Sequence, residues 1–366
     1  MSDTSANNWS TLYYALSTLV FLLFLLFNQK IQVFLWLQEI SRALRKLERM
    51  VNDSKALLLS VFRRYGNRQQ DLSSRLNELL EFYVVNPVER DPFGVIRRLE
   101  HLIRLQRDKF REIVARLAPN ADPITQRNIE NMLEASIALN TLYRITRHYS
   151  ILGRKTRSIY LIMQLEMQLP QIMKFAEAYF NALKAFMHGK PLGDGIGALV
   201  AGKLMLRATN KRIKDDTVIA ELDFEGRKVI VVKALGPGGE VGRPGKVIEE
   251  LIEEYGGKVA RVIMVDAALK LEGERSGEIV EGVGAAIGDP GPEKLKIEEA
   301  VTRHNIPLDS IIIKESLEEA ISTMKKEIAE ASDLVIERIK SIIRERTKEG
   351  DVVIVAGVGN SMGIGQ

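Results

Sequence analysis

Residues 352–365 read Val352-Val353-Ile354-Val355-Ala356, then Gly357-Val358-Gly359-Asn360-Ser361-Met362-Gly363-Ile364-Gly365. An unbroken β-branched run of this kind needs cover on both faces, the condition of a strand inside a parallel sheet. The glycine turn after it permits positive φ and close backbone approach, so a helix or a ligand can come up against it. The helix that such a turn calls for does not follow in sequence, but one without a cap begins at Gly193-Asp194-Gly195-Ile196-Gly197. Joining the two gives an intact strand–turn–helix unit, as in a circularly permuted domain.

Working outward from that strand, β-branched runs alternate with helical ones through the whole of 191–366. Strands are expected near 217–223, 228–233, 261–265, 279–286, 310–314 and 352–356. Helices are expected near 196–207, 245–256, 292–304 and 316–348. The alternation predicts a three-layer α/β domain with a mostly parallel sheet. Chemistry in such folds gathers beyond the C-terminal strand ends. Four segments fall there: Gly193–Gly197, Gly236–Gly245, Val265-Asp266-Ala267-Ala268 and Gly357–Gly365. Glycine-rich loops can hold a substrate's main chain, which makes Gly238, Gly239, Glu240, Gly242, Arg243, Gly359, Asn360 and Ser361 candidate substrate-binding residues. The plainer reading is that these glycines form tight βα turns, that Asp194 caps a helix and that Asp266 ends a strand. Nucleotide motifs fail on inspection. Gly245-Lys246 is followed by Val247 where a P-loop carries Ser or Thr, and Gly282-Val283-Gly284 lacks dinucleotide spacing.

The first half is a different composition. The chain has 366 residues, 52 Lys+Arg, 48 Asp+Glu, 46% apolar residues and no cysteine, which excludes disulfide scaffolds, thiolate metal sites and a cysteine nucleophile. Residues 1–190 carry 27 basic and 17 acidic side chains, whereas 191–366 carry 25 and 31. Of the 27 glycines, three precede residue 189, namely Gly66, Gly94 and Gly153. Leu12–Phe27 is apolar apart from Ser17 and Thr18, and Trp9–Phe27 would span nearly 30 Å as a helix. The expectation is a single-pass transmembrane helix within 1–30. Lys30, Arg42, Arg45, Lys46 and Arg49 on its C-terminal side place the remainder in the cytosol. Heptad-spaced Ile40, Leu44, Leu47, Val51, Leu58, Val61, Tyr65, Leu72 and Leu79 continue it as a long helix. Pro87, Pro92, Pro119 and Pro123 break the chain before further helical runs at 93–117, 124–152 and 157–188. Residues 31–190 thus read as a basic α-helical stalk or bundle. It is suited to homo-oligomer formation and to the lipid bilayer as partner, and it has no nucleic-acid recognition motif.

In the joined order, 190–366 resembles the phosphorylase/hydrolase-like fold of hydrogenase maturation endopeptidases and of the germination protease of bacterial spores. The matching residues are Gly357-Val358-Gly359-Asn360, Asp194-Gly195-Ile196-Gly197, the loop Gly236–Gly245 and Val265-Asp266-Ala267-Ala268. Over its full length the chain also resembles an uncharacterised archaeal family of membrane-anchored proteins. The first resemblance implies that Asp194 and Asp266 are the catalytic carboxylates of the protease type, or two ligands of a divalent metal as in the maturation enzymes. Two carboxylates brought together share a proton and provide an acid and a base for water attack on a peptide carbonyl. The maturation enzymes add a histidine ligand, and the one histidine of this half is His304, within the helical run 293–304. The sequence therefore points to a hydrolase-like, peptidase-related domain. A non-enzymatic ligand-sensing or membrane assembly protein is the alternative, and a nucleotide-dependent function comes third.

Overall fold

The computed structural model describes residues 3–66, 72–85, 94–206, 208, 210–288 and 291–366; of 3–12 and 22–27 it describes the backbone alone. A helical region precedes an α/β region. The helices are α1 (Asp3–Tyr65), α2 (Leu72–Leu79), α3 (Val95–Leu117), α4 (Pro123–Thr156) and α5 (Ile159–His188), the last containing Pro170. The single long helix expected over the heptad-spaced residues is two, α1 ending at Tyr65 and α2 carrying Leu72 and Leu79, and Ser54 interrupts the apolar seam within α1. Pro87 and Pro92 lie outside the described residues.

One expectation is overturned here. Among the described residues, no helix is long and apolar enough to cross a membrane. The single-pass anchor at Leu12–Phe27 and the localisation drawn from it are therefore withdrawn. The side chains of 22–27, the end of that apolar run, lie outside the described residues. In α1 the hydrophobic stretch gives way directly to charged heptads, so apolar length and helix length do not coincide.

The chain forms two compact units. One takes α1 as far as Asn52, with Asn140–Ala176. Its core is Ile40 against Ile162, Leu165 and Leu169, with Trp36, Leu37 and Leu44 partly covered beside them. The other takes Asp53–Leu139 and Glu177–Gln366. Its helical core joins Leu58 and Phe62 of α1, Leu76 of α2, Phe110 and Val114 of α3, Ile129, Met132 and Leu133 of α4, and Leu183 of α5. Leu192 and Met362 reach into the same core, so helices and α/β region share apolar packing within this unit.

The α/β region holds β1 (Asn210–Lys214), β2 (Thr217–Phe224), β3 (Arg227–Ala234), β4 (Arg261–Leu269), β5 (Ile279–Val283), β6 (Leu308–Glu315) and β7 (Val352–Gly357). They form one mixed sheet in the order β1-β2-β3-β7-β4-β6-β5. The four inner strands β3, β7, β4 and β6 are parallel, while β1, β2 and β5 run antiparallel to their neighbours. Strand β7 stands at the centre, with Val353 aligned to Val229 on one side and to Arg261 on the other. Val353 and Val355 face a core with α6 (Ile196–Met205) and α10 (Lys326–Arg346). Ile354 and Ala356 face the opposite core, built with α7 (Pro244–Glu254) and α8 (Pro292–Arg303). Each alternate side chain is buried, which is why the run is apolar throughout. The expected helix at 316–348 is two: α9 (Leu317–Ala320), started by a Ser316–Glu319 capping box, and α10. The short edge strand β1 was not expected, because its five residues are all exposed and three are basic.

Candidate carboxylate site

The C-terminal ends of β7, β4 and β6 lie side by side at one sheet edge, and each delivers part of the site. Asp194 sits in a single 3-10 turn, Gly193–Gly195, ahead of α6. It caps neither helix. Its Oδ2 instead accepts a hydrogen bond of 2.9 Å from the backbone N–H of Asn360, in the turn after β7. Gly359 makes this possible. Its φ is +113°, and a Cβ there would strike the Asp194 carbonyl. The strand–turn–helix junction suggested by joining 352–365 to 193–197 is thus a packed unit in which α6 lies against β7.

Asp266 is buried near the end of β4, and its Oδ1 accepts the N–H of Ala267 at 2.8 Å. Glu315, at the last position of β6, is 1% exposed. Among the described residues neither of its carboxylate oxygens has a hydrogen-bond partner. A Cβ on Gly193 would fall against Glu315 Oε2, which sets that carboxylate beside the Asp194 turn. Asp194, Asp266 and Glu315 repel one another in a region where water is scarce. Burial first, and Asp194 second, push the Asp266 carboxyl up to about 8. Burial, then Asp194, Glu319 and Asp266, raise Glu315 in the same direction. Asp194 is raised by burial, opposed by its bond from Asn360.

Glu319 stands next to this group but behaves oppositely. Burial would raise its carboxyl, yet Lys325 Nζ at 2.7 Å, the Ser316 N–H and Ser276 Oγ together hold it down to about 2. Lys270 adds a more distant charge at 3.9 Å. The cationic neighbours are thus committed to Glu319, and among the described residues the three carboxylates have no counter-charge of their own.

The loop Gly236–Gly245 meets residues of α3 and α4. Glu240 is buried and binds Arg127 Nε at 2.6 Å and Arg111 Nη2 at 2.8 Å. Gly239 donates to Asn128 Oδ1 at 3.1 Å and accepts from Asn131 Nδ2 at 2.8 Å. Gly238 lies against Arg127, and Gly242 against Thr217. Arg243 pairs with Glu100 of α3, and its N–H reaches Thr217 Oγ1 at 2.9 Å. These five residues join α3, α4 and the β1–β2 turn to the α/β region, where the sequence reading has them hold substrate. Ser361 is fully buried, with Oγ placed to donate to the carbonyls of Leu235, Gly238 and Glu240. Asn360 belongs to both places. Its backbone holds Asp194, and its side-chain amide donates to Asn131 Oδ1 at 3.0 Å.

Glu315 is the residue that sequence reasoning passes over. The expected strand stops at Lys314, and a Lys-Glu pair reads as a solvated strand end. The signal was its kinship with Asp266, an acidic residue at the exit of an apolar parallel strand. A metal does not fit. Among the described residues, no group of three or more His, Asp or Glu side chains is placed to hold a metal ion. Two of the oxygens a metal would need are already hydrogen-bonded to backbone N–H groups. His304 pairs with Glu253 at 3.2 Å on the α7–α8 side and takes no part in the cluster.

Two family models cover the chain. Residues 14–189 match the model described as "Protein of unknown function (DUF1512) N-terminal domain", and residues 192–365 match "Domain of unknown function (DUF1512) C-terminal". The chain belongs to the DUF1512 family. No curated protein matches it. In this DUF1512 protein the carboxylate cluster lies in the stretch covered by the C-terminal model. The loop that meets the helices lies there too, while its partners Arg111, Arg127 and Asn131 lie in the stretch covered by the N-terminal one.

Proposed function

We propose that residues 191–366 form a hydrolase-type domain acting on a peptide or similar amide, with Asp194 and Asp266 as its acid/base pair. The observation that carries this reading is the convergence of Asp194, Asp266 and Glu315 at the C-terminal sheet edge, with no neutralising cation among the described residues. Like charges held close cannot all ionise, so a proton is retained within the group at neutral pH. A protonated carboxyl beside an ionised one supplies the acid and the base that water attack on a carbonyl needs. Asp194, held by Asn360, is the least buried residue of the three. The central place of β7 beside α6 supports the likeness to the permuted spore-protease type of domain.

The test is to incubate the purified full chain with a proteome-derived peptide mixture and identify new termini by mass spectrometry. Asp266→Asn should abolish product formation without lowering the melting temperature, and equal turnover by this variant would remove the assignment. A second reading, a sensing or assembly protein, is favoured by one observation. The loop expected to hold substrate is engaged instead by Arg111, Arg127 and Asn131. It predicts no turnover, and a mass in solution that corresponds to more than one copy.

A further inference from the structure

We infer that Glu315 makes the Asp194–Asp266–Glu315 cluster a seat for a primary ammonium group, so that the peptide or amide acted on carries a free amino group. The peptide part rests on the hydrolase-type reading above; the binding of an ammonium group does not. The starting point is the unused bonding capacity of Glu315. Burying a carboxylate without a donor is costly, and native folds supply partners for nearly all such groups. Here both oxygens of a residue that is 1% exposed lack one among the described residues. The lysines that could serve are spent on Glu319.

The geometry selects the partner. Asp194 and Asp266 each give one oxygen to a backbone N–H, which leaves one oxygen on each and two on Glu315. A divalent metal would need its oxygens within about 2.0–2.6 Å of one point, and these side chains do not close to such a set. An ammonium group accepts a looser arrangement, with N–H···O distances of about 2.7–3.2 Å. Its three donors match three carboxylates, one to each, and its charge offsets their repulsion. A guanidinium would instead pair with both oxygens of a single carboxylate. Asp194 is partly exposed, whereas Asp266 and Glu315 are buried. A ligand therefore enters cation first, with its body left on the Asp194 side. An amino terminus seated on Glu315 brings the adjacent carbonyl next to the aspartate pair.

The amides of Asn360 and Ala267 are built-in reporters, because they are the donors to Asp194 and Asp266. Their NMR shifts in the full chain would be followed at pH 7 during addition of alaninamide, n-butylamine, tetramethylammonium chloride or magnesium chloride. Saturable shifts with a primary amine are expected, weakened at least tenfold in Glu315→Gln and less in Glu315→Asp. A tighter response to alaninamide assigns the site to a peptide amino terminus, and a tighter response to n-butylamine to a lysine side chain. Equal shifts from tetramethylammonium, saturation by magnesium at lower concentration, or no effect of Glu315→Gln would overturn the inference. Amine binding without peptide turnover would remove the hydrolase-type reading alone. Turnover of amino-blocked peptides as fast as free ones would remove the substrate class alone.

Discussion

Asn131, on helix α4, accepts a 3.0 Å hydrogen bond from the side chain of Asn360, and the backbone N–H of that same Asn360 holds the Asp194 carboxylate at 2.9 Å. A helix of the N-terminal domain is thereby two hydrogen bonds from the carboxylate cluster. The Asn131 side chain also closes on the Gly239 carbonyl, so one residue pins both glycine loops.

Asn131→Ala leaves the Asn360 amide and the Gly239 carbonyl without this partner, at a cost of about 1–3 kcal/mol in unfolding free energy. Chemical denaturation would measure it. The more telling readout is the titration of Asp194 by carboxyl-carbon NMR. A looser Asn360 turn weakens the bond that opposes protonation, so the Asp194 carboxyl should titrate at higher pH than in the parent. An unchanged titration would mean that the turn holds its shape without α4.

Glu315→Gln should change how stability depends on pH. The carboxyls of Asp266 and Glu315 are raised from the ordinary range, each to about 8. Between roughly pH 4.5 and 8 the folded chain thus retains protons that the unfolded chain has released, and stability falls as pH rises. Removing one charge relieves that penalty. The variant should match the parent near pH 4 and exceed it at pH 8 by on the order of 2 kcal/mol. Melting temperatures across this range decide the matter, and parallel curves would show that Glu315 is not coupled to its neighbours.

Lys233 offers a prediction of opposite sign. It is fully buried on β3, and among the described residues its ammonium donates to one acceptor, the Ala234 carbonyl at 2.8 Å. Burial pulls its pKa down to about 8. The penalty of burying the charge is fully present below that pH and is relieved as pH rises towards 10.5, where the unfolded chain also loses its proton. Lys233→Met keeps the length of the side chain and removes the charge. Its gain in melting temperature should be largest at pH 7 and shrink by pH 10, and a gain that does not vary with pH would contradict the account.

The sequence was most legible where one physical demand acted alone. Val352–Ala356 is apolar because both of its faces are covered, and its place in a parallel sheet follows from that. Asp194 stands out as an acid between glycines ahead of a helix, and Asp266 as an acid towards the end of an apolar strand. Glu315 does not, because burial turns an ordinary Lys-Glu strand end into an unpartnered carboxylate, and burial is not written locally. The neighbours of the loop Gly236–Gly245 were not legible for a related reason. Its glycines suit a substrate, but the groups that approach it are Arg111, Arg127 and Asn131, more than a hundred positions earlier in the chain. The apolar run at the start of α1 satisfies a length rule for membrane crossing, yet no helix of the described residues meets the full requirement.

The seventh strand in sequence occupies the fourth place in the sheet. Strands β3 and β4, which flank β7 in the finished sheet, pair with it on their facing sides, so neither has that neighbour before β7 is made. Pairing across such sequence distances is slow, and open strand edges invite wrong partners. When β7 arrives, strand insertion and assembly of the Asp194 turn become a single event, because β7 carries Gly359 and Asn360 on its end.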